Sequence, residues 1–189
     1  MTEQAKPTFR ERLLEAAATL AYRDGVTISV EALCKAAGVS KRSVYQLFES
    51  KDDLLAAGLE RRAASYAARL LPEAGDGLSA RGRILHVFEQ LESQAGAPEF
   101  RGCAYQAVQI GLRDQRHPAS RVAHRVKGNL MAFFRAEAEQ GGVSDPGRLA
   151  RQLMVVFDGA SARAGIGADK LTGLVAPMAA FLLDAAGMR

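Results

Sequence analysis

Between residues 40 and 51 the chain reads SKRSVYQLFESK, in which hydroxyls, cations, an amide and a phenol alternate with apolar residues at helical spacing. Ser40, Lys41, Arg42, Ser43, Tyr45 and Gln46 fall on the outer face and at the start of one short helix, while Val44 and Phe48 point inward. Such side chains suit a polyanion with readable edges. Lys41 and Arg42 can donate to guanine O6 and N7, and Gln46 can serve adenine or a phosphate. Tyr45 offers a hydroxyl to phosphate and an apolar body to the sugar. Lys51 sets a cation beside the free N–H groups of the next helix, which is unfavourable for the helix dipole alone and sensible with an anion present.

A row of this kind reaches a groove only when a second helix holds it at a steep angle. Ser29 caps a helix running to about Ala37, Gly38 supplies the turn, and Ser40 caps a helix to about Phe48. Ala32, Leu33, Ala36, Val39, Val44 and Phe48 supply the apolar contacts between the two. Upstream, Thr8 and Glu11 form a capping box with Pro7 outside it. Phe9, Leu13, Ala17, Leu20 and Ala21 follow on one face, and Gly25 closes the helix. Ser50 with Asp53 opens a fourth helix through Leu54, Leu55, Leu59, Tyr66 and Leu70. The order is that of a helix-turn-helix reader.

The remainder is also helical in its spacing. Helices are expected from Ser79 to Gly96, from Glu99 to Leu112, and from Pro118 to Gln140. Another starts at Asp145-Pro146, and the last runs from Lys170 to Ala186, with Pro177 able to kink it. The fold class is therefore all-α. Its expected organisation is a helix-turn-helix DNA-binding domain over residues 1–50, a connecting helix over 51–70, and a helical ligand-binding and dimerisation domain over 71–189.

Residues 8 to 59 resemble the N-terminal domain of the TetR/AcrR family of bacterial transcriptional regulators. The resemblance is carried by Asp24-Gly25, Ala37-Gly38-Val39-Ser40, Val44-Tyr45, Leu47-Phe48, and Ser50-Lys51 before Leu54-Leu55. It implies that Tyr45, Lys51 and either Thr27 or Ser29 touch phosphates, and that Lys41 and Arg42 reach bases. The chain departs from some relatives at Glu31, where basic residues also occur. A carboxylate there can accept from a cytosine amine or simply favour the helix N-terminus. Leu47 stands where an aromatic residue or histidine is frequent, a change expected to affect packing. The segment PEFRGCAYQAVQIGLRDQRHP, residues 98 to 118, is similar to a subset of the family with Arg-Gly-Cys in the ligand-binding domain.

That resemblance implies a small-molecule cavity in the C-terminal helices and a homodimer through the last two. Residues 149 to 160 and 171 to 183 are apolar enough to agree, and Ala160, Ala162 and Ala164 with Gly159 would let helices approach closely. Candidate pocket residues are His86, Phe88, Cys103, Tyr105, Gln106, Gln109, Met131, Phe134, Met154 and Asp158, polar or aromatic groups on otherwise apolar faces. Each is also a plausible core residue. Gln106 and Gln109 stand out as a polar pair among Ala107, Val108 and Ile110.

The chain has 189 residues, 48% of them hydrophobic, and a net charge of +4. Through residue 70 there are 11 basic and 9 acidic residues, and beyond it 14 and 12, so charge alone locates no DNA surface. MTEQAKPTF lacks the apolar run of a signal segment, and Cys34 and Cys103 read as buried thiols, which suggests a bacterial cytoplasmic protein at the nucleoid with no membrane partner. His117 and His124 flank Arg121, a poor metal site, and His117 before Pro118 shapes a helix start. No cofactor is expected. No paired carboxylates or Ser/His/Asp or Cys/His constellation supports an enzyme. The expected function is a dimeric repressor on a palindromic double-stranded DNA operator, released by a small-molecule effector. The alternative is an architectural DNA-binding protein without a ligand.

Overall fold

A computed structural model describes residues 7–189. The start of the expected 1–50 domain, and most of the stretch judged to lack a signal segment, lie outside the described residues. Nine helices are described: α1 (Phe9–Asp24), α2 (Val30–Ala37), α3 (Lys41–Leu47), α4 (Lys51–Leu70), α5 (Ala80–Ala95), α6 (Ala104–Leu112), α7 (Pro118–Gln140), α8 (Pro146–Gly165) and α9 (Val175–Ala185). None is long and apolar enough to cross a membrane. The architecture is all-helical, with an N-terminal helix-turn-helix domain and a helical C-terminal domain.

By contact the chain forms two compact units. One contains the residues up to Ala63 together with Ala107–His124; the other contains Ala64–Gln106 together with Arg125–Arg189. The first unit is thus discontinuous in sequence, recruiting a segment that lies within the expected 71–189 domain.

In the first unit, the capping box closes as the sequence indicates. Glu11 N–H donates to Thr8 Oγ1 at 3.2 Å, and Thr8 N–H donates to Glu11 Oε2 at 2.7 Å. The bond from Thr8 N–H, with a second from the Thr8 hydroxyl, holds the Glu11 carboxyl below the usual carboxylate range. Leu13, Leu14, Ala17, Leu20 and Ala21 are buried, but Phe9 is exposed and carries the Arg12 guanidinium 4.9 Å from its ring centre. Phe9 precedes the turn in which α1 becomes covered, so its place in the apolar register does not bury it. Gly58 of α4 lets that helix approach α1. A Cβ there would lie 3.0 Å from Leu14 O and 3.1 Å from both Ala17 Cβ and Ala18 N. The recruited segment packs close as well, because a Cβ on Gly111 would meet Val26 Cγ2 at 3.0 Å. His117 shapes the start of α7 as expected: its Nδ1 accepts from Ala119 N–H at 3.1 Å, and its Nε2 lies 3.3 Å from Asp52 Oδ2.

In the second unit, Ile84, Val87, Phe88 and Leu91 of α5 are buried, as are Leu149, Leu153 and Phe157 of α8. Phe88 stacks on Phe134 of α7 at 5.6 Å and meets Phe157 edge-on at 6.4 Å. Burying each of these rings contributes about 2–3 kcal/mol. Arg83 bridges Glu137 at 2.7 Å and Asp76 at 3.1 Å, so the buried carboxylate is paired.

Two helix starts differ from expectation. Helix α6 begins at Ala104 rather than Glu99, because Gly102 adopts φ 85 and the preceding backbone lies against α8. A Cβ on Gly165 would stand 2.6 Å from Arg101 C and O. Helix α9 begins at Val175 rather than Lys170, because Leu171 (φ 61) and Gly173 (φ 66) take left-handed conformations. Pro177 therefore sits in its first turn, where it displaces no hydrogen bond. No local side chain caps α9. Glu92 of α5 does so instead, accepting from Gly173 N–H at 3.0 Å, Val175 N–H at 2.5 Å and Ala176 N–H at 2.9 Å.

Candidate nucleic-acid interface

Each helix that would meet DNA starts with a serine cap. Ser29 Oγ accepts from Ala32 N–H, Ser40 Oγ from Ser43 N–H, and Ser50 Oγ from Asp53 N–H, each at 3.1 Å. Gly38 joins α2 to α3 in the left-handed region (φ 62, ψ 44), and Val39 N–H closes on Cys34 O at 3.1 Å. Leu33, Ala37, Val44 and Phe48 are buried beneath this turn, while Ala36, expected to pack there, is exposed. Arg10 covers the Phe48 ring at 5.6 Å. Cys34 is half-buried rather than enclosed, and both cysteines are free.

The outer surface then carries the sequence candidates. Thr27, Ser29, Ser40, Lys41, Arg42, Tyr45 and Gln46 are exposed, whereas Ser43 and Lys51 are partly covered. Tyr45 is 51% exposed although a tyrosine body gains by burial, which leaves its ring available to an outside partner. Ser40 and Ser43 are occupied with each other, their hydroxyl oxygens 2.9 Å apart. Their first task is the cap, so any contact they make to DNA is shared with it. Leu47 is exposed, which makes its departure from relatives a surface change rather than a packing one.

Glu31 has a partner that neither sequence reading supplied. Lys41 Nζ lies 2.8 Å from its Oε1, joining the first turn of α2 to that of α3. The hydrogen bond from Lys41 draws the Glu31 carboxyl below its usual range, and the Glu31 carboxylate raises Lys41. Both groups are therefore charged at neutral pH.

The candidate effector residues separate into groups. Cys103 and Tyr105 meet Tyr66, a residue the sequence assigned only to an apolar face. Tyr66 OH lies 3.2 Å from Cys103 Sγ, and its ring is 4.9 Å from that of Tyr105. Burial, with Cys103 and Asp158 adding to it, raises the Tyr66 hydroxyl far above its ordinary value, so it remains a protonated donor. Asp158 pairs with buried Lys127, whose ammonium stands 4.7 Å from the centre of the Phe157 ring. Lys127 was legible in principle as a cation on the face of α7 shared by Ala123, Leu130 and Phe134. One turn beyond Phe157, Ser161 Oγ is buried without a hydrogen-bond partner.

Phe88 and Phe134 are enclosed in the stacked core, Met154 is half-buried and Met131 is exposed. His86 lines a separate open groove of about 500 Å³ with Arg69, Gln90 and Gln94. Gln106 and Gln109 fall in different compact units. Among the described residues, no three His, Cys, Asp or Glu side chains are grouped to hold a metal ion.

On the C-terminal helices, Val155, Gly159, Ala162 and Ile166 are exposed along one face of α8, with Val155 at 73%. Leu174, Met178, Phe181 and Ala185 repeat the same 4-3-4 spacing along α9, with Phe181 at 72%. Ala160 and Ala164, expected at a subunit contact, are buried within the chain instead. Their helical phase places them on the side of α8 away from the exposed stripe.

A family model described as bacterial regulatory proteins, tetR family, matches residues 13–57. Among solved structures, a protein from Streptomyces avermitilis assigned to the TetR transcriptional regulators is 70% identical, covering 97% of this chain and 100% of its own, with TM-score 0.95. A TetR-family transcriptional regulator from Streptomyces coelicolor is 26% identical (TM-score 0.77; 94% of this chain, 93% of its own). The reduced form of NemR from E. coli is also 26% identical (TM-score 0.76; 96% and 97%). No curated protein matches significantly.

Proposed function

Because this chain belongs to the tetR family of bacterial regulatory proteins and is a DNA-binding transcriptional regulator, we propose that two copies grip a palindromic operator and release it when a small molecule enters the second unit. The observation that carries the reading is the pair of 4-3-4 apolar stripes on α8 and α9. Solvent-facing Val155, Ile166, Met178 and Phe181, on or at the ends of the last two helices, are the kind of exposed apolar side chains that a second copy covers. Two readers joined there address half-sites about 34–36 Å apart. The protein acts on the chromosome, in the cytoplasm, as a repressor.

The effector reading is supported by the interior of the second unit. A buried Lys127 paired with half-buried Asp158, the Tyr66 hydroxyl and the unpartnered Ser161 Oγ are costly in a module that only dimerises. They are sensible as polar anchors in an otherwise aromatic site. A ligand that favours a reader spacing mismatched to DNA weakens operator binding by the factor that DNA weakens the ligand.

Selection of bound fragments from a genomic DNA pool tests the operator, and palindromic sites are the expected product. Non-repetitive or sequence-independent binding sinks the proposal. On the selected operator, Lys41→Ala with Arg42→Ala is expected to remove sequence preference. Lys51→Ala is expected to weaken all DNA nearly equally and reduce the salt slope by about 1. Gel shifts at several salt concentrations separate the two outcomes.

A further inference from the structure

We propose that Glu31 and Lys41 read one base pair of each half-site together, with Lys41 Nζ donating to guanine O6 and the Glu31 carboxylate accepting from the N4 amine of the paired cytosine. The inference rests on the placement of α3 in the major groove.

The geometry begins with the pair itself. Lys41 Nζ and Glu31 Oε1 are 2.8 Å apart, and their side chains remain 58% and 69% exposed, so the pair is presented rather than enclosed. Guanine O6 and cytosine N4 are themselves joined by an N–H···O hydrogen bond of about 2.9 Å across the base pair. A donor beside an acceptor at that separation is complementary to an acceptor beside a donor at the same separation. The protein pair can therefore approach the edge of the base pair without separating first. Lys41 has three N–H donors and gives one to Glu31, and the ionised carboxylate accepts about four hydrogen bonds and donates none.

The chemistry ranks the four base pairs. G·C meets both groups and also offers N7 to a further Lys41 donor. T·A in the same orientation presents thymine O4 to Lys41 and adenine N6 to Glu31, but places a methyl group where N7 would be. The reversed pairs C·G and A·T bring amines against the ammonium and keto oxygens against the carboxylate. A lone exposed ion pair adds little to stability, so the Glu31–Lys41 bond costs the fold little when its groups turn to a base pair.

Dissociation constants of the full-length protein for the selected operator, measured with each of the four base pairs at every position and at one salt concentration, test this. The wild type is expected to place G·C first and T·A second at one position per half-site, with the reversed pairs roughly ten- to hundredfold weaker. Glu31→Ala and Lys41→Ala should each flatten that ranking at the same position, while Glu31→Gln, which keeps an acceptor, retains part of it. Relaxation at two different positions, or at none for Glu31→Ala, overturns the joint reading. Uniform tightening of all sequences by Glu31→Ala, with a steeper salt dependence, also overturns it, because Glu31 then acts only by repelling phosphates. If Glu31→Ala, Lys41→Ala and Arg42→Ala all leave affinity and preference unchanged, the placement of α3 has failed rather than the pair.

Discussion

A chain carrying Val155→Glu and Phe181→Glu is expected to behave as a monomer and to bind the full operator a hundred- to ten-thousandfold more weakly. Both side chains already face solvent, and glutamate is as good a helix former as valine or phenylalanine or better, so the folded chain loses little. Across a two-fold axis the same residues would be desolvated without partners and brought toward their own copies, which reverses the sign of the association energy. Losing the second reader then removes the gain from linked binding, on the order of 10²–10⁴. Light scattering reports the mass, and gel shifts on full and half operators report the affinity. Half-site binding should be unchanged. A dimeric double variant would show that the stripes on α8 and α9 serve some other contact.

The second large effect concerns a glycine. Gly165→Ala places a Cβ 2.6 Å from Arg101 C and O and 2.8 Å from Gly102 N, all of them backbone atoms that cannot swing aside. Either α8 or the 101–102 segment must move, and about 3 kcal/mol of stability is expected to be lost. For a chain of this size that lowers Tm by roughly 6–12 °C. Gly128→Ala is the counterpart: it is also helical, has nothing within 4 Å, and should gain up to about 1 kcal/mol. Opposite shifts in thermal melting check both together. Equal shifts would mean that helix propensity, and not the close approach at Arg101, governs Gly165.

The contrast shows which parts of the molecule local sequence can announce. Thr8, Ser29, Ser40, Ser50, Ser79 and Asp145 each cap the helix that follows within a few residues, so six helix starts were legible. The cap of α9 was not, because its carboxylate comes from Glu92, on a helix more than eighty residues earlier. The start of α6 was hidden for a related reason, since only the approach of α8 explains why residues 99–103 leave the helical path. The exposed row of α3 followed from periodicity, but its tie to Glu31 required knowing the angle between two helices. In the second unit, polar residues on apolar faces drew attention to Cys103, Tyr105 and Asp158, which the structure sets beside Tyr66 and Lys127, and to His86, which lies apart from them in a groove. Tyr66 and Lys127 were not singled out, because the groups they meet are distant in sequence.

The discontinuity of the first unit also has a temporal side. Asp52 and Val26 find His117 and Gly111 only after a long stretch of intervening chain has been made. A ribosome delivers α1 to α3 early, yet the segment that completes their unit ends at His124. Contacts this distant in sequence slow folding, and units of a nascent chain close only when their last residues emerge. The helices that would touch the chromosome are thus made well before the segment that completes their unit, so a partly translated chain carries the reading side chains without their finished support.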